Sequence, residues 1–259
     1  MDLSCFKAYD LRGRVPDQLN PVLAEKIGRA YVEITGAKKV IVGYDIRLSS
    51  PDIAEALSSG LMAAGADVFD IGLCGTEQVY FATSHYKMDG GIMVTASHNP
   101  KDHNGMKMVG PESRPISSDN GLNEIRDRVQ EPFGDAPQQG RYEPLEVMSA
   151  YVDHLLGYID AGSLSPLTIV CNAGNRGAGL VVDDANEHKQ RGLKQRVRQS
   201  VDQRCGDSER GTHANGGNNP AQMGDGGIGR KLFQIRLLHC KYRGHDRGAH
   251  AYDDEQPIP

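Results

Sequence analysis

The chain has 259 residues, 38% of them hydrophobic and 24% charged, with a net charge of −5 and a mean hydropathy of −0.50. That length holds one large domain or two of average size. The acidic balance, with a pI near 6.0, speaks against a nucleic-acid partner, and no apolar run approaches the roughly 20 residues of a membrane-spanning helix.

The N-terminus, Met1 to Lys7, lacks the basic region and apolar stretch of a secretory leader. The five cysteines, Cys5, Cys74, Cys171, Cys205 and Cys240, are odd in number, far apart and without a Cys-x-x-Cys pair. Reduced thiols in a cytoplasmic protein are the expectation.

In chain order, the first cluster of interest is Tyr9-Asp10-Leu11-Arg12-Gly13. Arg12 offers a planar fork suited to phosphate, and Gly13 allows a tight turn beside it. Alone, the cluster reads equally as a solvated loop. Lys39 to Tyr44 is predicted as a buried strand. Pro51 to Ala64 carries apolar residues at helical spacing, with Ser49 and Ser50 placed to cap it and Gly65 to end it. Between them, Gly43-Tyr44-Asp45-Ile46-Arg47 follows a strand, and Asp45 either braces the loop by pairing with Arg47 or contacts ligand. Ala66 to Gly72 is the next strand, Gln78 to His85 a short helix, and Gly91 to Thr95 a further strand. This alternation predicts an α/β fold: a mixed, mostly parallel sheet flanked by helices.

The sharpest signal is Thr95-Ala96-Ser97-His98-Asn99-Pro100, leading to Asn104-Gly105-Met106-Lys107. It follows a strand directly, and ligands in open α/β sheets bind beyond the carboxyl ends of strands. Pro100 and Gly105 favour a rigid loop over a continued strand. A serine hydroxyl alone is a weak nucleophile. His98 and Asn99 can donate hydrogen bonds to phosphate oxygens, and Lys107 adds positive charge and a movable proton. An ordinary polar loop would explain any one of these residues but not the whole string.

Arg114 to Gly140 reads as a connecting region with a helical part near Leu122 to Val129. Leu145 to Tyr158 reads as a helix with Val147, Tyr151, Leu155 and Tyr158 on one side. Leu167 to Cys171 is predicted to be the first strand of a second domain, and Asn172-Ala173-Gly174-Asn175 a loop at a domain interface. The expected division is residues 1–140, residues 141–183 as the start of a second, similar domain, and residues 184–259 as a divergent, poorly structured segment. That last segment is basic and glycine-rich and falls below the apolar content of a core; only Lys231 to His239 concentrates apolar residues.

Residues 95–107 resemble the phosphoserine signature of the α-D-phosphohexomutases, and residues 5–13 resemble the start of bacterial phosphomannomutases. Tyr80-Phe81-Ala82-Thr83, Asp89-Gly90-Gly91-Ile92 and Ala150 to Leu155 match the same group, and the likeness runs from about residue 3 to about residue 183. The resemblance implies that a phosphorylated Ser97 exchanges phosphate with a hexose phosphate through a hexose 1,6-bisphosphate. It implies interconversion of mannose 6-phosphate and mannose 1-phosphate, feeding GDP-mannose and surface polysaccharides, with phosphoglucomutase as an alternative. It makes Ser97 the phosphate carrier and a ligand of Mg²⁺, and sets Tyr9, Arg12, His98, Asn99 and Lys107 on active-site positions, Lys107 as general acid/base. An unrelated serine hydrolase is disfavoured, because the elbow Gly-x-Ser-x-Gly is absent around Ser97.

The family has four domains. Its metal loop, sugar-selecting loop and distal-phosphate loop are absent from this sequence. Asp225 to Arg230 echoes the metal loop but lacks two of its three carboxylates. His239, Cys240, His245 and His250 match no standard metal spacing. Two readings of residues 184–259 compete: a natural basic tail, and a stretch read out of frame. The likeness and the composition change at the same point, which favours the second and makes a catalytically inactive fragment a further alternative.

Overall fold

A computed structural model describes residues 2–160, 168–171, 181 and 234–237. Asn172 to Asn175, Asp225 to Arg230, His239, Cys240, His245 and His250 lie outside the described residues, as does most of 184–259.

One unit contains six strands and five α-helices among the described residues. The strands are β1 (Leu11–Arg14), β2 (Lys39–Tyr44), β3 (Asp67–Leu73), β4 (Gly90–Val94), β5 (His103–Val109) and β6 (Tyr142–Pro144). The helices are α1 (Pro21–Thr35), α2 (Ser50–Ala63), α3 (Thr76–His85), α4 (Leu122–Arg128) and α5 (Met148–Gly157). The sheet order is β1-β5-β4-β2-β3-β6. Strands β4, β2, β3 and β6 are parallel neighbours, whereas β5 runs antiparallel to both β4 and β1. The sheet is therefore mixed and mostly parallel, as the alternation of elements predicts.

Alternating side chains divide the core between two faces. Val40, Val42, Ile92, Val94, Met106 and Met108 meet α1 and α2. Ile41 and Met93 meet α3, through Val79 and Ala82, and α5, through Tyr151 and the Val147 that precedes the helix. Helix α1 starts where Asn20 Oδ1 accepts the Leu23 N–H at 3.0 Å, and stops at Gly36 in the left-handed region, φ 70°. It buries Leu23, Ile27 and Tyr31, each adding about 1.5–3 kcal/mol of apolar burial. Helices α1 and α2 cross in close contact: a Cβ on Gly60 would sit 1.9 Å from the Glu25 carbonyl oxygen.

Several local expectations change. Ser49 occupies the N-cap of α2, yet its side chain makes no cap bond; its hydroxyl accepts from Asn104 Nδ2 at 2.9 Å. Gly13 lies inside β1 rather than at a turn, packed where a Cβ would come within 2.9 Å of Cys5 and Gln18. Gly105 and Lys107 belong to β5, not to a loop, because pairing on both sides satisfies that backbone. Tyr158, read as part of the apolar side of α5, is 75% exposed.

Residues 142–157, expected at the start of a second domain, add β6 to the edge of this sheet and α5 to its core. In a separate unit, β7 (Thr168–Cys171) pairs in parallel with β8 (Gln234–Leu237), which falls in the apolar stretch after Lys231.

Candidate active site

Parallel pairing of β2 with β4 sets Tyr44 opposite Val94, so the segments that follow, 45–49 and 95–102, leave the sheet at one edge. Antiparallel β5 returns from that edge, and β1 pairs with its far side, Arg12 opposite Gly105. Four sequence regions converge there.

Ser97 is exposed just beyond β4, and its φ of 54° lies in the left-handed region. A serine held there costs about 1–2 kcal/mol, so the surroundings must hold it. Two sets of bonds do so. Ser97 N–H donates to Thr95 Oγ1 at 2.9 Å, and Thr95 Oγ1 donates to Asp45 Oδ2 at 2.7 Å. Behind the loop, the Arg47 side chain is only 12% exposed. Its Nη1 donates to the carbonyls of Pro100 at 2.6 Å and His103 at 2.9 Å; its Nη2 donates to those of Ser97 at 2.9 Å and Asn99 at 2.7 Å. Asp45 lies 3.4 Å from Arg47 Nε and also accepts from the Arg47 backbone and from Ser50 Oγ. Of the two sequence readings for Asp45, the brace is the one observed.

In front of the loop, Asp10 is 6% exposed and is shared by two cations. Arg12 binds it through Nε at 2.9 Å and Nη2 at 2.8 Å, and Lys107 Nζ binds it at 3.2 Å. Arg12 Nη1 reaches Asn99 Oδ1 at 3.4 Å, which joins this cluster to the serine loop. With its oxygen so used, the Asn99 amide keeps its Nδ2 donors free of protein acceptors among the described residues. His98 is exposed, its Nδ1 3.4 Å from Ser97 Oγ, a loose contact by hydrogen-bond standards. Tyr9 is 79% exposed and turned to solvent. Ser97, His98 and Asn99 thus lie on the loop beyond β4, with Arg12, Asn99 and Lys107 linked directly or through Asp10; among the described residues no hydrogen bond joins Tyr9 to them.

Two ionisation shifts accompany the arrangement. Burial, and then the Asp10 charge, raises the phenol of Tyr80 on α3. The hydrogen bond from the His103 ring is the main cause that holds the Asp102 carboxyl below the usual carboxylate range.

Sequence reasoning missed the bridging role of Asp10 and the Thr95 relay. Asp10 sits in the Tyr9–Gly13 string, but its bridge depends on the β1–β5 register. The alternation of Lys107 against Met106 and Met108 was the available sign that this stretch is a strand.

A divalent cation does not fit these residues alone. Among the described residues no three His, Cys, Asp or Glu side chains gather as a metal site. Asp10 is committed to two cations, and Asp45 to Thr95, Ser50 and Arg47. Mg²⁺ takes one or two carboxylates beside water and phosphate oxygens, and both carboxylates here are already engaged. Among the described residues no helix is long and apolar enough to cross a membrane.

Residues 4–133 match the family model described as phosphoglucomutase/phosphomannomutase, alpha/beta/alpha domain I. A Xanthomonas campestris pv. campestris protein described as phosphohexose mutases is 55% identical over 184 residues, covering 71% of this chain and 41% of that protein. An Escherichia coli phosphomannomutase is 51% identical over 185 residues, 70% of this chain and 41% of the relative. The crystal structure of a phosphoglucomutase/phosphomannomutase family protein from Burkholderia thailandensis superposes with a TM-score of 0.64 at 36% identity, over 71% of this chain and 42% of that one. The chain spans about two fifths of the length of these curated relatives.

Proposed function

Because this chain belongs to the phosphoglucomutase/phosphomannomutase family, we propose that it carries the phosphoserine half of a phosphohexomutase, with Ser97 as the phosphate carrier. In the proposed reaction, phospho-Ser97 gives its phosphoryl group to a hydroxyl of a hexose monophosphate. The P–Oγ bond breaks, a P–O bond to the sugar forms, and the hydroxyl proton passes to Oγ. The resulting hexose 1,6-bisphosphate reorients, and its other phosphate returns to Oγ by the reverse exchange. Little covalent work falls to the protein, so positioning and charge stabilisation dominate.

In this reading Arg12 and Lys107 face the transferring phosphate, while Asp10 holds both in place. Lys107 moves the proton between Oγ and the sugar oxygen. Tyr9, Arg12 and Asn99 contact the sugar phosphate, and His98 lies nearest the serine hydroxyl. Mannose phosphates in the cytoplasm, leading to GDP-mannose and surface polysaccharide, are the proposed substrate and pathway; glucose phosphates are the alternative. The family resemblance implies Mg²⁺, with phospho-Ser97 as one ligand. The described residues lack the others, so no step here is routed through a metal. A second reading is a catalytically inactive fragment that only binds phosphosugar or a partner.

The observation that carries the proposal is an exposed Ser97 held in the left-handed region at a strand's end, with Arg12 tied to the same loop through Asn99. Intact-mass spectrometry after incubation with hexose 1,6-bisphosphate is expected to show one added phosphate, absent in Ser97→Ala. No adduct, or one that survives the substitution, refutes the carrier role. A coupled assay with mannose 1-phosphate and glucose 1-phosphate separates the two substrates, and separates turnover from phosphate uptake alone.

A further inference from the structure

Arg47 lies outside the set of residues expected to touch phosphate, yet its guanidinium makes more hydrogen bonds to the serine loop than any other side chain. All four go to carbonyl oxygens: those of Ser97, Asn99, Pro100 and His103. A trans peptide sets its C=O and N–H in opposite directions. Drawing the Ser97 carbonyl inward therefore turns the His98 N–H outward, and drawing in the Pro100 carbonyl does the same for the Lys101 N–H. Neither N–H has a protein acceptor among the described residues. By contrast, the Asn99 N–H is used by Ala96 O at 3.0 Å, and that of His103 by Pro100 O at 3.0 Å. Pro100, which follows Asn99, has no N–H to turn.

We propose that Arg47 is the positioning residue of the phosphate-carrying loop: its grip on four carbonyls presents the backbone N–H groups of His98 and Lys101, on the exposed side of Ser97, as donors to a phosphate esterified there. Backbone N–H groups free of protein acceptors can make charge-assisted hydrogen bonds to an anion. The Asp45 pair fixes the guanidinium from behind, and Thr95, on the same Asp45, holds the Ser97 N–H. The loop's shape, and with it the placing of these two N–H donors, thus comes from one largely buried cation. This inference rests on Ser97 being the carrier.

The test uses the whole chain and Arg47→Lys, which keeps the charge but cannot span four carbonyls. Hydrogen–deuterium exchange is expected to speed up at least about tenfold for the bonded amides of Ser97, Asn99 and His103, with β2 and β4 unchanged as the folding reference. The rate of phosphate uptake from hexose 1,6-bisphosphate should fall about tenfold or more. The half-saturating concentration should stay within about twofold, because Arg12 and Lys107 are untouched. By ³¹P NMR, the second pKa of phospho-Ser97, ordinarily about 6, should rise in the variant as it loses the two N–H donors. If Arg47→Lys does not fold, Arg47→Met serves, since it strands no ammonium beneath the loop. Unchanged exchange overturns the clamp. Faster exchange with unchanged uptake and ³¹P titration overturns the positioning role. A wild-type chain that takes up no phosphate, while the variant loop loosens, sinks the carrier reading and leaves the clamp standing.

Discussion

Gly105→Ala tests how closely the two outer strands must approach for the site to exist. A Cβ at this position would lie 2.0 Å from the Leu11 carbonyl oxygen and 2.9 Å from that of Thr95. Carbon contacts are comfortable at about 3.5 Å, so β1 would have to retreat by about 1.5 Å. Overpacking costs about 1–3 kcal/mol where side chains can yield. Here both obstacles are backbone, and retreat also strains the ladder from Leu11↔Met106 to Arg14↔His103. A loss of about 3 kcal/mol or more is expected, against about 5–15 kcal/mol for a typical domain. For a unit of this size that corresponds to a midpoint lower by about 6–12 °C. Thermal unfolding followed by circular dichroism measures it, with Gly134→Ala as the control, since a Cβ there has nothing within 4 Å. Arg12 stands opposite Gly105, so the substituted chain should also take up phosphate more slowly at temperatures where it is still folded. A midpoint shift under about 2 °C would refute the reasoning.

Two further outcomes follow from ionisation. Burial pushes the Cys5 thiol up to about 11 and that of Cys74 up to about 12; at pH 8 the folded chain should resist iodoacetamide at both, while 6 M guanidinium should expose them, as peptide mapping would show. Hydrogen bonds from the Arg141 side chain and backbone lower the Asp67 carboxyl, so its contribution is complete above the unfolded value of about 3.9 and is lost as pH falls through the folded value. Exchange protection of the Val68 amide, which donates to Arg141 O, should drop relative to β2 below about pH 4, and Asp67→Asn should remove that pH dependence; equal protection at pH 3 and pH 6 would contradict it.

Much of this arrangement could be read in advance, and the failures have physical causes. Strand β2 and helix α2 declare themselves because a buried apolar run and a Pro-led 3.6-residue period are local signals. Helix α1 carries similar local signals, in Asn20, Pro21, the Leu23-Ile27-Tyr31 stripe and Gly36, but was not among the predicted elements. Strand β1 was not legible: four residues, two of them arginine and one glycine, become a strand only because β5 supplies the partner. In β5, Asn104-Gly105 reads locally as a turn, but tertiary pairing overrides that preference. Ser97 was recognisable from its neighbours in sequence. The grip of Arg47 was not, since its four acceptors lie some fifty residues away and are backbone atoms that any sequence would provide.

Strand β6 matters beyond its three residues. It lies along β3, and its sequence, Tyr142-Glu143-Pro144, brings an acidic side chain and a proline to the sheet's margin, features that discourage a further strand from adding. A polypeptide stopped near residue 140 would lose that guard. The seven residues of β3 would then offer unpaired peptide groups to any neighbouring copy, inviting self-association even with the serine loop intact. A well-behaved piece of this protein therefore has to include β6 and, for the core it completes, α5.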